Sequence, residues 1–224
     1  MKGATAKRER NRAEMRQSIL DASHEIVARG GIEALTIRGI AKDLGYSAGA
    51  IYDYFDSKED IVHCLYFEGS GGLAAVMDQC CQDADEDSDV FTMLETLAFA
   101  YRHHSLAHSE MYRLVFGVLK QPNPEESDLD EFSLGGLDTL LKIVQRGIDR
   151  GDLMDVPAMV IATSAWTAVH GFTSLEVSEH FRSLESAGVQ GLTQGETTDA
   201  LFLSCVQAIL RAWATPQGLQ KLGN

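Results

Sequence analysis

Hydroxyl, amine and phenol donors crowd residues 36–58. Thr36, Ser47 and Ser57 each stand where a short helical apolar pattern begins. Lys58 follows Ser57, and Tyr52 and Tyr54 add two phenols between them. A helix start presents free backbone N–H groups and a partial positive charge, so it binds phosphate. Thr36 and Ser47 can each cap a helix and still donate the hydroxyl proton to an anion. A cation in a first helical turn gains nothing from the helix dipole. A phosphate contact therefore accounts for Lys58 better than local stability does.

The spacing predicts the elements that hold these groups. Ile37, Ile40, Ala41 and Leu44 fall on one helical face, Gly45 makes a tight turn, and Ile51 and Phe55 line the next helix. Two helices this short cannot bury much by themselves. The preceding helix, expected over about 9–29, supplies Ile19, Ala22, Ile26 and Val27 as a surface and ends at Gly30-Gly31. Three helices so arranged make a helix-turn-helix, whose second helix enters the DNA major groove.

Three runs carry a resemblance: Thr36-Ile-Arg-Gly-Ile-Ala-Lys-Asp-Leu-Gly45, Gly49-Ala-Ile-Tyr-Asp-Tyr-Phe55 and Ser57-Lys-Glu-Asp-Ile61. They resemble the N-terminal domain of the TetR family of bacterial transcription regulators, over about the first 65 residues. The resemblance implies that Arg38, Ala48, Gly49, Ala50, Tyr52 and Asp53 face bases, and that Tyr54 and Lys58 contact phosphates. Ala48, Gly49 and Ala50 bring no side-chain hydrogen bond. Direct reading must then lean on Arg38, which can grip guanine with two hydrogen bonds. Ala48 and Ala50 can touch thymine methyls, and Gly49 lets the helix approach closely. Asp53 either accepts from cytosine or orients Arg38. The alternatives are a solvated helix face for Arg38 and packing on the first helix for the tyrosines.

The net charge of −14 looks wrong for a DNA binder, but its distribution resolves part of the conflict. Residues 1–60 balance ten basic groups against ten acidic ones, so the whole excess lies in 61–224. Local phosphate-facing charge sets DNA affinity. The basic arm Lys2–Arg12 is expected to be disordered without DNA, and either reaches a minor groove or has no role. The charged start lacks an apolar run, which predicts no secretory leader, no membrane span and a cytoplasmic protein. Cys64, Cys80, Cys81 and Cys205 read as reduced thiols, with a redox role for Cys80 or Cys81 left open.

The chain reads as all-α throughout, with about nine helices, three then six. The expected division is a DNA-binding domain over 1–60 and a ligand-binding and dimerisation domain over 61–224. Ser57 and Asp60 form a capping box for a fourth helix that runs to about Cys81. Gly69, Gly71 and Gly72 within it suggest a bend or hinge. The later helices are expected near 89–107, 109–120, 129–150, 155–181 and 196–214, with loops over 121–127 and 183–195 and a stop at Pro216.

Tyr112-Arg-Leu-Val-Phe116, Gly151-Asp-Leu153 and Ala165-Trp-Thr-Ala-Val-His-Gly-Phe172 resemble the C-terminal domain of one TetR branch. The resemblance implies a homodimer through the eighth and ninth helices, a small-molecule effector and a pseudo-palindromic double-stranded operator, with no cofactor. Candidate effector contacts are Phe99, Tyr101, His104, Tyr112, Phe116, Trp166 and His170, with Phe67, Met93 and Phe172 in a wider set. Trp166 and His170 share a helix face. His103, His104 and His108 have a spacing that can chelate zinc, but no third ligand is clear. No nucleophile elbow, phosphate loop or HExxH motif is present, so catalysis is not expected. The reading is a ligand-controlled regulator, most simply a repressor. A DNA-binding protein without a ligand, or a small-molecule carrier, is the alternative.

Overall fold

The computed structural model describes residues 2–82, 87–117, 136–188 and 195–222. Among these, eleven helices form and no strand does; Leu153 and Ala214 make one isolated bridge. The chain divides into two compact units, 1–70 with 108–132, and 71–107 with 133–224.

In the first unit, α1 (Lys2–Ala34) begins seven residues before the expected start. The arm expected to be disordered is thus helical backbone from Lys2. Its Ala, Lys, Arg and Glu residues are strong helix formers, and Arg10 pairs with Glu14 one turn on at 3.6 Å. The expected stop is a kink: Gly31 sits at φ 70, ψ 178, and helical turns resume to Ala34. α2 (Ile37–Leu44) packs on α1, and α3 (Ala48–Ile51) packs on α2. Ile19, Val27, Leu35, Ile40 and Ile51 are fully buried between them, with Phe55 beside them. Burying such side chains contributes about 1.5–3 kcal/mol each.

α4 (Lys58–Gln79) runs unbroken through the glycine cluster and passes from the first unit into the second. Gly69 is small for a reason: a Cβ there would stand 3.0 Å from the Met111 side chain and 3.1 Å from that of Val115. It lets α6 (Ser109–Phe116) lie close to α4.

The second unit packs α5 (Val90–Ala107), α7 (Leu137–Asp149), α8 (Ala158–Val177) and α10 (Gly195–Trp213) around one core. Leu94, Leu97, Tyr101, Ile143, Val144, Ile161, Phe202, Val206 and Leu210 are buried there. The eighth helix stops four residues before the expected end. Ser178 Oγ donates to the Ser174 carbonyl at 2.6 Å, Glu179 turns left-handed at φ 58, and α9 (His180–Ser186) starts within the last residues of the expected helix and runs into the expected loop. Pro216 does not only end α10; it opens α11 (Pro216–Leu222), since proline at a first helical position loses no hydrogen bond. The fully buried Asp152 clasps α11, accepting from Lys221 Nζ at 2.7 Å and Gln217 Nε2 at 3.0 Å. The expected loop 121–127 and the ends of the helices expected at 109–120 and 129–150 lie outside the described residues.

Candidate nucleic-acid interface and effector cavity

The helix-turn-helix is built by its caps. Thr36 Oγ1 accepts from Gly39 N–H at 3.0 Å and Ser47 Oγ from Ala50 N–H at 3.2 Å, which orders both helix starts. Both hydroxyl protons remain for an outside acceptor. Gly45 turns the chain at φ 73, ψ 27, a left-handed position that costs other residues about 1–2 kcal/mol. Ser57 Oγ accepts from Asp60 N–H at 3.1 Å, and the Asp60 carboxylate reaches Asp56 N–H at 3.3 Å. The expected box therefore closes one residue further back.

Around this turn Thr36, Arg38, Ser47, Gly49, Tyr52 and Asp53 are exposed, and Ala48, Ala50, Tyr54 and Lys58 are half-buried. No hydrogen bond joins Arg38 to Asp53. Tyr52 is 55% exposed, so its phenol is not held by packing. Tyr54 is held: the Arg12 guanidinium stands 5.6 Å from its ring centroid.

Two residues were missed from sequence. Tyr46, beside Ser47, is 52% exposed and adds a third phenol to the same surface. Arg16 clamps the end of the reading helix. Its Nη1 donates to the Tyr54 carbonyl, and its guanidinium lies 4.0 Å over the Phe55 ring. The signal was present, because Arg12 and Arg16 share a face of α1 one turn apart.

In the second unit an apolar cavity of about 450 Å³, counting its mouth, lies between α4, α5, α7, α8 and α10. Met77, Leu94, Leu97, Leu140, Val169 and Leu210 line it, with Tyr101 and Trp166 as its aromatic walls. Trp166 remains 38% exposed, which puts the indole at the mouth. His170 does not line the cavity, yet Tyr101 Oη and His170 Nδ1 share a 2.9 Å hydrogen bond. Phe99 stacks edge-on against Phe202 at 5.0 Å, and Phe172 does so at 5.3 Å. His104 lies along α4 near Gly72. Tyr112 and Phe116, 5.1 Å apart, belong to the first unit, as does Phe67. Met93 is buried against Arg146. Among the described residues no group of three His, Cys, Asp or Glu side chains is placed to hold a metal. The walls are mostly aliphatic, whereas the sequence reading favoured aromatics and histidines.

Behind the cavity Arg102 is buried, donating through Nε and Nη2 to the Glu176 carboxylate at 2.6 and 2.8 Å and through Nη1 to Asp199 at 2.7 Å. Burial pulls its pKa down, but the bonds and charges of Glu176 and Asp199 outweigh this and leave it above the usual guanidinium value.

Burial lowers the pKa of His170 below its ordinary 6.5. The folded state then favours the neutral ring more than the unfolded chain does. Its stabilisation is present above about pH 6.5 and is lost as pH falls through the folded pKa. A protonated ring also cannot accept at Nδ1. The melting temperature of the protein should fall more between about pH 7.5 and pH 5 than that of a His170→Gln variant. Parallel profiles would show that His170 carries no such linkage.

Residues 19–65 match the family model "Bacterial regulatory proteins, tetR family", and 94–199 match "Tetracyclin repressor-like, C-terminal domain". The fatty acid metabolism regulator protein of Bacillus subtilis is 32% identical over 61% of this chain and 70% of its own length. The HTH-type transcriptional repressor AcnR of Corynebacterium diphtheriae is 30% identical over 71% of this chain and 79% of its own. A solved structure of a protein of unknown function from Rhodococcus sp. RHA1 shares the fold, with a TM-score of 0.72, 22% identity and coverage of 89% and 95% of the two chains. Among the described residues no helix is long and apolar enough to cross a membrane. With both domains matched in order, and with relatives that are named regulators and not enzymes, the chain belongs to the TetR family of bacterial regulatory proteins.

Proposed function

We propose that this protein is a transcriptional repressor that holds a pseudo-palindromic operator as a homodimer and leaves it when an apolar small molecule enters the second unit. The observation that carries the reading is the capped helix-turn-helix, whose exposed donors stand around a reading helix of small residues. Thr36, Ser47, Tyr54 and Lys58 position the head on phosphates. Arg38 reads guanine, Ala48 and Ala50 meet thymine methyls, Gly49 allows close approach, and Tyr52 and Asp53 flank them. The acidic remainder of the chain repels DNA from other faces.

The eighth and ninth helices of the sequence correspond to α8 and α10, which are the proposed dimer elements. Met159, Trp166 and Leu175 of α8 and Leu201 of α10 are 49%, 38%, 42% and 38% exposed, an apolar surface that a partner would cover. Two-fold pairing would present two reading helices about one DNA turn apart.

The cavity's aliphatic walls favour an apolar effector. One relative is named for fatty acid metabolism, and an acyl chain is a molecule such walls admit. Release requires the effector to bind the DNA-incompetent spacing of the heads more tightly than the competent one. α4, which runs from one unit into the other, is the proposed lever.

The test is selection of bound DNA from a random duplex pool by the purified full-length protein. A pseudo-palindrome with half-sites about one turn apart is the expected result. Recovery of unrelated sequences even at low salt would sink the reading.

A further inference from the structure

Cys80 and Cys81 follow the last residue of α4, and neither has a part in the regulator described above. Their sulfurs stand 3.5 Å apart, and both residues are half-buried. The Cys80 thiol donates to the Met77 carbonyl at 3.1 Å, which aims it back along the helix end. We propose that this pair is a dithiol site for a trivalent, pyramidal metalloid, arsenic(III) or its heavier congener antimony(III).

Geometry makes the choice. An atom that bonds both sulfurs at about 2.3 Å, the thiolate–zinc length, spans roughly 3.2 Å at a right angle and roughly 3.8 Å at the tetrahedral angle. The observed 3.5 Å lies between these limits. A linear two-coordinate ion such as mercury(II) or copper(I) would need the sulfurs about 4.6 Å apart at the same bond length. Zinc at a structural site wants four ligands, and no third His, Cys, Asp or Glu joins this pair among the described residues. A pyramidal trivalent centre needs one further ligand at most, and a hydroxyl or carbon substituent of its own supplies it.

The same positions resist becoming a disulfide. Bridged cysteines usually hold their Cα atoms about 4.4–6.8 Å apart. Neighbours across a trans peptide are fixed at about 3.8 Å. Inserting one heavy atom enlarges the ring and relieves this. Condensation with arsenous acid consumes the two thiols. Two S–H and two As–OH bonds break, two S–As bonds form, and two waters leave. Arsenic stays trivalent, the third hydroxyl stays on it, and nothing is oxidised.

The experiment uses phenylarsine oxide on the full-length protein, read by intact-mass spectrometry after washing with excess monothiol. Wild type and a Cys64→Ser/Cys205→Ser variant should each retain one phenylarsenic group per chain, which a competing dithiol then strips. Cys80→Ser and Cys81→Ser should each lose the group in the monothiol wash, with helical circular dichroism unchanged. Release of the group from wild type by monothiol, or its retention by either single variant, would overturn the proposal.

Discussion

Arg38→Ala is expected to cost the operator complex most of its sequence preference. The reading helix offers only the side chains of Ala48 and Ala50 and the bare backbone of Gly49 at its start. The contacts proposed for them, to methyls and backbone, discriminate weakly. A bidentate arginine–guanine pair is worth about 1–3 kcal/mol against a wrong base. A two-fold complex uses it twice, so the loss is about 2–6 kcal/mol, or from about 30-fold to beyond 10⁴-fold. Arg38 is exposed and makes no hydrogen bond to Asp53, so no internal bond must be broken before it meets a base. Lys58→Ala serves as the control. It should weaken operator and scrambled duplex alike and reduce the salt slope by about one per head. Fluorescence anisotropy with both duplexes at several salt concentrations separates the two. Equal losses on both duplexes for Arg38→Ala would place that arginine on phosphate instead.

The helix-turn-helix was legible because its determinants are local. Thr36, Ser47 and Gly45 act on residues three or four positions away, so their spacing alone announces the caps and the turn. Chain ends of helices were less legible where a local choice was close. Ser178 and Glu179 divide α8 from α9 through one side-chain hydrogen bond and one left-handed residue, and neither shows in apolar periodicity. Pro216 reads equally well as a stop or as a first residue, and Thr215 and Asp152, from far apart in the chain, decide for α11 through contacts to its first turn. The cavity was the least legible part. Its walls come from five helices between Met77 and Leu210, and which aliphatic faces leave space between them is a property of their packing. Tyr101 and His170 are 69 residues apart, and only the folded chain brings them together.

Arg102 belongs to that second kind, and its replacement should have the largest effect on stability. In sequence it is one charge in a helical run between Tyr101 and His103. In the fold its side chain is 4% exposed, and it bridges α5 to α8 and α10 through Glu176 and Asp199, 74 and 97 residues away. Its guanidinium also stands 4.9 Å from the Phe202 ring centroid. Arg102→Ala leaves the Glu176 carboxylate, 12% exposed, with no counter-charge. Breaking a buried pair from one side costs about 3–5 kcal/mol. For a chain of this size that lowers the melting temperature by roughly 6–20 °C. Asp199 contributes little to the loss, since it is 54% exposed and returns to water. Replacing both buried partners with apolar groups of similar size removes the stranded charge, and such exchanges are often neutral. Arg102→Met combined with Glu176→Leu should therefore recover most of what Arg102→Ala loses. Thermal unfolding of the two variants side by side decides the point. If the double variant melts as low as the single one, the aromatic contact and the packed arginine stem hold these helices together, and the charge pairing does not.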